Sequence, residues 1–292
     1  MRGLYRLLGR RFTSGLLWPI ALYFSAVGRA GRVAQRRYLT RLREAAPELE
    51  LPEPSFGTCL RHTHEFAVNI FDRMVAWGGE LDDIEFLHRG SEHLFSLAEQ
   101  GKGAILLGSH LGSFDMMRLL AGRHGLAVNV LMYTRHAEQI SRFLAQLDPS
   151  HPVRVISLDP SSTRTAFEIR QCLERGEFVG ILGDRIWPGD TGRQEWIPFL
   201  GHPAPFSLRP FLMAGVLGAP LLFSACVRRD AATYEAIVEP IHLGGIVPRR
   251  ERDAQARKWL EAYVAKLEQG CRQTPYQWFN FYDSWHSDER AA

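Results

Sequence analysis

Residues 101–118, with the sequence GKGAILLGSHLGSFDMMR, decide the fold of this chain. Residues 104–109 (AILLGS) form an apolar run with the length and composition of a strand that is buried on both faces. His110 follows this run directly, and a glycine-bearing turn then leads into a helix that we predict at 113–123. A buried strand that continues into a helix in this way is the building unit of an α/β sheet.

The same alternation continues to the end of the chain. Further strands are predicted at 128–133, 153–158, 178–183, 220–227 and 233–239, and further helices at 58–77, 136–147, 161–175, 207–217 and 251–272. Strands that alternate with helices favour parallel pairing, because each helix returns the chain to the same end of the sheet. The sequence therefore predicts an α/β fold with a mostly parallel central sheet flanked by helices.

The N-terminal segment differs from the rest of the chain in its charge. Residues 1–43 contain ten arginines, and the first acidic residue is Glu44, although the whole chain carries a net charge of only +3. A basic block of this size indicates an anionic partner, which could be membrane lipid or an acidic protein. Nucleic acid is a weak alternative, because the chain contains no zinc-finger spacing, RNP motif or other recognition module.

Residues 12–28 are uncharged and lie between these arginines. A membrane-spanning helix needs about 20 apolar residues, so this run is short for a single span. A signal peptide, a single span and a core helix are alternatives, but we favour an interfacial anchor with Trp18, Tyr23 and Phe24 at the level of the lipid head groups. Three prolines then mark a break at residues 47–57. We therefore predict a membrane-associating segment at 1–46 and a catalytic domain at 47–292.

Four widely separated cysteines, with no C-x-x-C pair, argue against a structural zinc site. They fit buried thiols in a reducing cytoplasm. The chain also contains no H-E-x-x-H motif, P-loop or G-x-G-x-x-G motif, so metalloprotease, nucleotide and dinucleotide sites have no support.

His110 is the predicted catalytic residue. Ligands of open α/β sheets bind at the carboxyl ends of the strands, where His110 is expected to lie. Asp115 follows in the first turn of the next helix, and its carboxylate could bind one ring nitrogen while the other nitrogen takes a proton from an attacking hydroxyl. Alternatively, Asp115 only caps the helix and His110 is a core residue. A nucleophile elbow is disfavoured, because the central residue of GSHLG (108–112) is histidine.

Four further residues are predicted to bind substrate. Arg135 and Arg185 each follow a predicted strand, and an arginine suits phosphate or carboxylate, although surface salt bridging is an equal alternative. Asp184 could bind an acceptor hydroxyl or pair with Arg185. Gly112 permits close approach of the backbone to a substrate, and N–H groups near it could hold an oxyanion.

The motif GSHLGSFD (108–115) resembles the H-x4-D/E motif of the lysophospholipid acyltransferase superfamily, in particular its bacterial branch of lauroyl and myristoyl transferases of lipid A biosynthesis. The resemblance runs from about residue 15 to 285, and residues 176–223 match a second block of that branch. Arg185 replaces the second residue of an acidic pair in this block. The ending PYQWFNFYDSW (275–285) looks more like acyltransferases of aryl-polyene or other polyketide-type lipid pathways.

The resemblance implies an acyltransferase with His110 as the base and Asp115 as its partner. It further implies an acyl-thioester donor, either acyl carrier protein or acyl-CoA, a lipid or glycolipid acceptor, and no metal or organic cofactor. An acidic carrier protein would suit the exposed arginines. The implied location is the cytoplasmic face of the bacterial inner membrane. A lipid esterase or thioesterase, and a non-catalytic lipid-binding protein of the same fold, are the alternatives.

Overall fold

The computed structural model describes residues 13–77, 84–132, 154–157, 164–186 and 193–285. Its helices are α1 (Trp18–Val27), α2 (Arg29–Ala45), α3 (Phe56–Trp77), α4 (Glu92–Glu99), α5 (Phe114–Arg123), α6 (Arg164–Glu174), α7 (Arg209–Leu217) and α8 (Arg252–Gln273). Its strands are β1 (Glu85–Arg89), β2 (Ile105–Gly108), β3 (Val128–Met132), β4 (Val155–Ser157), β5 (Phe178–Leu182), β6 (Gln194–Phe199), β7 (His202–Ser207), β8 (Leu221–Arg228) and β9 (Thr233–His242). A 3₁₀ turn at Pro47–Leu49 separates α2 from α3.

Seven of these strands form one sheet in the order β1-β9-β8-β2-β5-β3-β4. All neighbours are parallel except β8 and β9, which are antiparallel. The predicted α/β fold with a mostly parallel central sheet flanked by helices is confirmed. Every predicted strand has a counterpart within a few residues, and the predicted helix at 136–147 lies outside the described residues.

Two features of the sheet structure were not predicted. Strand β1 (EFLHR) is a largely exposed edge strand, so its residues do not form an apolar run. Strands β6 and β7 form a separate antiparallel hairpin that contains three prolines. Proline is rare inside paired strands, so these prolines argued against predicting strands at these positions from the sequence.

Successive residues of β2 point into different apolar layers. Ile105 and Leu107 belong to one buried cluster with Tyr263 of α8, and Leu106 belongs to a second cluster with Met116 of α5. Helices thus cover both faces of the sheet, which is why the strand is apolar at consecutive positions. Helix α2 also contributes to the first cluster, through Tyr38, Leu39 and Leu42.

Helix α1 packs on α3 and leaves an apolar surface exposed. Leu17 is buried in a cluster with three residues of α3, and the ring of Trp18 stacks on His64 with the centroids 3.9 Å apart. In contrast, Tyr23 and Val27 are 62% and 61% exposed. In the described part of the chain, every helix is too short or too polar to cross a bilayer.

Candidate active site

The site begins where the two central parallel strands β2 and β5 end. Gly108 of β2 is paired with Leu182 of β5, so His110 and Asp184, each two residues further on, come next to each other. The Nδ1 atom of His110 lies 2.9 Å from Oδ1 of Asp184. The Asp184 side chain is fully buried, whereas 23% of the His110 side chain is exposed. One nitrogen of the imidazole therefore contacts a buried carboxylate, while the ring itself lies at an edge of the sheet that is open to solvent.

Three hydrogen bonds hold the Asp184 carboxylate. Besides the His110 ring, Oδ2 accepts the backbone N–H of His110 at 2.8 Å and the indole N–H of Trp278 at 2.9 Å. Burial by itself would raise the pKa of Asp184, but the charge of His110 and these hydrogen bonds outweigh it and hold the pKa below its usual value. An ionised Asp184 accepts the proton on Nδ1 and leaves Nε2 as the basic nitrogen. Within the described residues, no side chain forms a hydrogen bond with Nε2.

Asp115, the predicted partner of His110, is bound elsewhere in this structure. Its Oδ2 accepts a hydrogen bond from Nη1 of Arg73 on α3, at 2.8 Å. The cap of helix α5 is provided by Ser113, whose hydroxyl accepts the N–H of Met116. The hydrogen bond that we predicted from Asp115 to the imidazole is therefore made by Asp184, because strand register brings Asp184 to His110 while the first turn of α5 directs Asp115 towards α3. The catalytic role of Asp115 remains a prediction.

Residues 275–285, the C-terminal segment, pack against the turn that carries His110. Phe279 donates its backbone N–H to the carbonyl of His110, and Gly112 donates its N–H to the carbonyl of Gln277, both at 2.8 Å. The side chain of Gln277 also binds the N–H and the carbonyl of Arg228 on β8. The C-terminal segment thus fixes the turn that carries His110 to the sheet. The sequence indicated no such role, which depends on contacts between residues more than 160 positions apart.

Gly112 has a structural reason to be glycine. Its φ is +67°, and a Cβ atom at this position would collide with the backbone of Cys226. Its N–H is donated to Gln277 and that of Ser113 to Cys226, so neither is directed at an oxyanion in this structure. The suggestion that these N–H groups hold an oxyanion is not supported. A contact of Gly112 with substrate remains a prediction.

His62 of α3 contacts the C-terminal segment. It is fully buried, its Nε2 lies 2.9 Å from the carbonyl oxygen of Trp278, and burial lowers its pKa to about 4. Its other ring nitrogen is buried without a partner. His64, two residues later, contacts the carbonyl of Ser14 instead. In the parts of the chain that are described, no three His, Cys, Asp or Glu side chains come together in a way that could hold a metal ion.

Arg185 lies next to this site, whereas Arg135 lies outside the described residues. The Nε atom of Arg185 donates to Oδ1 of Asn280 at 3.1 Å, and its guanidinium lies 5.0 Å from the ring centroid of Tyr282. The predicted pairing of Asp184 with Arg185 is not formed, since Asp184 is bound to His110 and Trp278.

An apolar cavity of about 490 Å³ lies between α1, α2, α3 and the C-terminal segment. Its lining includes Phe66 of α3 and Phe281, and the ring of Phe66 packs against Phe279 with the centroids 5.3 Å apart. Because Phe279 is hydrogen-bonded to the carbonyl of His110, a single residue, Phe279, links the cavity wall to the turn that carries His110. Its volume is within the range of small-molecule sites.

No curated protein sequence matches the chain. The model of the bacterial lipid A biosynthesis acyltransferases matches residues 59–287. This range includes the whole described sheet, both members of the His110–Asp184 pair and the C-terminal segment, and it begins within α3. The family resemblance inferred from GSHLGSFD is confirmed. The chain belongs to the bacterial lipid A biosynthesis acyltransferase family, whose members transfer acyl groups to lipid acceptors.

Proposed function

We propose that this protein transfers a fatty-acyl chain from a thioester, carried by acyl carrier protein or CoA, to a hydroxyl group of a lipid or glycolipid, with His110 as general base. The family supports acyl transfer in lipid biosynthesis. The observation that carries the proposal is the His110 imidazole, which has one nitrogen 2.9 Å from a buried carboxylate oxygen and the other without a partner among the described residues.

The proposed reaction is a direct displacement. Nε2 of His110 takes the proton of the acceptor hydroxyl while the hydroxyl oxygen attacks the thioester carbonyl. The resulting tetrahedral intermediate collapses with cleavage of the C–S bond, and the imidazolium returns its proton to the thiolate. Asp184 stabilises the imidazolium and keeps the ring in the orientation that exposes Nε2. These steps need only acid–base chemistry from side chains.

The identity of the essential carboxylate is the first test. We expect His110→Ala and Asp184→Asn each to lower kcat by about 10²- to 10⁴-fold in acyl transfer from a carrier protein. Asp115→Asn is the matched comparison, because it also replaces one carboxylate by an amide. A larger loss of kcat in Asp115→Asn than in Asp184→Asn would identify Asp115 as the catalytic partner of His110. Near wild-type rates in both His110→Ala and Asp184→Asn would refute the mechanism.

The apolar cavity suggests where an acyl chain binds. Burial of a C12 chain would gain roughly 9 kcal/mol, at about 0.8 kcal/mol per CH₂. Two of the residues that line the cavity, Ala67 and Gly31, are small and leave space for a ligand. We therefore propose that the cavity holds an acyl chain and that its length limits the length of that chain.

We further propose that the protein attaches to the cytoplasmic face of the inner membrane through α1. The exposed Tyr23 and Val27 support this proposal, together with the arginines on either side of the helix. A deletion of residues 1–40 would be a poor test, because it would also remove Tyr38 and Leu39 from the core. The better test replaces Tyr23 and Val27 by aspartate and measures sedimentation with vesicles that contain anionic lipid.

Two other functions remain as alternatives. With water in place of the acceptor, the same imidazole would make the protein an esterase or thioesterase, and an assay that separates free fatty acid from acylated acceptor distinguishes the two. A non-catalytic lipid-binding protein would show no turnover with any thioester donor.

A further inference from the structure

Arg185 occupies a special position at the carboxyl edge of the sheet. It directly follows Asp184, whose carboxylate is bound to the catalytic imidazole, and its side chain is exposed. Ligands of open α/β sheets bind at this edge. Arg185 is therefore at the same edge of the sheet as the groups of the proposed reaction.

The guanidinium of Arg185 is held in place by the C-terminal segment. The amide oxygen of Asn280 accepts its Nε–H, and the ring of Tyr282 lies 5.0 Å from it. Asn280 is itself only 2% exposed and donates its amide N–H to Ser284 at 2.7 Å, which directs its oxygen towards Arg185. The hydroxyl of Tyr282 contacts the carbonyl of Asp184 at 3.3 Å. Both supports are uncharged, so they orient the arginine without neutralising it.

Several other arginines of the described residues are neutralised by carboxylates. Arg73 pairs with Asp115, Arg37 with Asp283 and Arg228 with Glu65. Among the described residues, no carboxylate lies within ion-pair distance of Arg185, and its two terminal nitrogens have no hydrogen-bond partner. An oriented guanidinium with both terminal N–H groups available presents the planar fork that matches two oxygens of a phosphate.

We infer that Arg185 binds a phosphate group of a substrate and so positions that substrate against His110. This inference rests on the proposed acyl transfer. The phosphate could belong to the phosphopantetheine arm of the thioester donor or to the head group of the lipid acceptor. Its chemistry is the same in both cases, and the two sources are separated by experiment.

The test compares KM and kcat for wild type, Arg185→Gln and Arg185→Lys. The donor series pairs acyl-CoA with the acyl thioester of N-acetylcysteamine, which has no phosphate. The acceptor series pairs a lipid that has a phosphate head group with its dephosphorylated form. Arg250→Gln is the matched control, because the Arg250 side chain is 86% exposed and pairs only with the adjacent Glu251 among described residues.

We expect Arg185→Gln to raise KM for the phosphate-bearing substrate by about 10- to 100-fold, the range for loss of a hydrogen bond to a charged group, with a smaller effect on kcat. KM for the phosphate-free partner of the same series should be unchanged, and Arg185→Lys should recover only part of the affinity. The series that responds identifies the source of the phosphate. Equal effects on both members of each series, or no effect in either, would overturn the inference.

Failure of the phosphate site and failure of the proposed function give different results. If His110→Ala abolishes transfer while Arg185→Gln behaves like Arg250→Gln, the phosphate site fails and the acyl-transfer mechanism stands. If His110→Ala retains the wild-type rate, the mechanism fails regardless of the result for Arg185. Thermal unfolding of Arg185→Gln should match that of wild type, because the side chain is exposed.

Discussion

Protonation of His62 is expected to destabilise this protein in mildly acidic solution. The ring is fully buried behind the C-terminal segment, and burial lowers its pKa from 6.5 to about 4. The native state therefore resists the proton that the unfolded chain accepts readily. The folded pKa is the lower of the two values. The contribution of His62 to the free energy of unfolding is therefore fully present above pH 6.5 and is lost as the pH falls from 6.5 to 4.

The size of the loss follows from the two pKa values. A shift from 6.5 to about 4 penalises the native state by about 2 kcal/mol at pH 5 and about 3 kcal/mol at pH 4. Domains are commonly stable by only about 5–15 kcal/mol, so this one residue would have a measurable effect on the midpoint of unfolding. The added proton would go to Nδ1, which is buried without a partner, because Nε2 already lies 2.9 Å from the carbonyl oxygen of Trp278.

Urea unfolding at pH 7.5 and pH 5.0 measures this effect in wild type and in His62→Phe. Phenylalanine does not titrate and retains an aromatic ring among Tyr38, Tyr276 and Phe281. The substitution has its own cost at pH 7.5, so the informative quantity is the change between the two pH values. This change should be about 2 kcal/mol larger in wild type than in His62→Phe. His93→Gln, a change of a partly exposed histidine, should behave like wild type. Equal changes in wild type and His62→Phe would refute the reasoning.

Three further predictions follow from the site. Trp278→Phe keeps an aromatic ring but removes the N–H that Asp184 accepts, and we expect kcat, measured well below the melting temperature, to fall by about 10-fold, in line with loss of one hydrogen bond to a charged group. The melting temperature should fall as well, because Trp278 is only 1% exposed and the smaller ring leaves space in the core. Gly112→Ala should destabilise the protein by more than about 1 kcal/mol, because φ is +67° and the Cβ collides with Cys226; chemical unfolding measures this. Ala67→Phe should shift the preferred acyl chain to a shorter length, measured by competition between thioesters, whereas an unchanged preference would remove the cavity from the acyl site.

Much of the architecture could be predicted from local patterns. Strand β2 and strand β5 are continuous apolar runs because helices cover both faces of the sheet, and such runs are visible without knowledge of their partners. Strand β1 was missed because an exposed edge strand has no need of an apolar run, and the hairpin β6–β7 was missed because of its prolines. Helix α2 lies within the predicted membrane-associating segment at 1–46, yet its Tyr38 and Leu42 are buried in the main core.

The geometry around His110 was predicted only in part, and strand register explains the difference. His110 could be found from the sequence, because it follows a buried strand and lies between glycines. Its partner could not be found from the spacing to Asp115, since Asp184 lies 74 residues further along the chain and comes into contact only when β2 pairs with β5. One signal was available: His110 and Asp184 are polar residues at similar positions just after two buried strands.

The sequence by itself determined the parallel α/β sheet, the place of His110 at its carboxyl edge and membership of the acyltransferase family, because each depends on residues that are close together in the chain. Only the tertiary structure decided which carboxylate binds the imidazole. It also placed Trp278 on that carboxylate and Gln277 on the turn that carries His110. It also decided that Arg185 is oriented by two uncharged side chains, Asn280 and Tyr282. These features depend on the pairing of distant segments, and the energies that select such pairings come from burial and hydrogen bonding that no local pattern encodes.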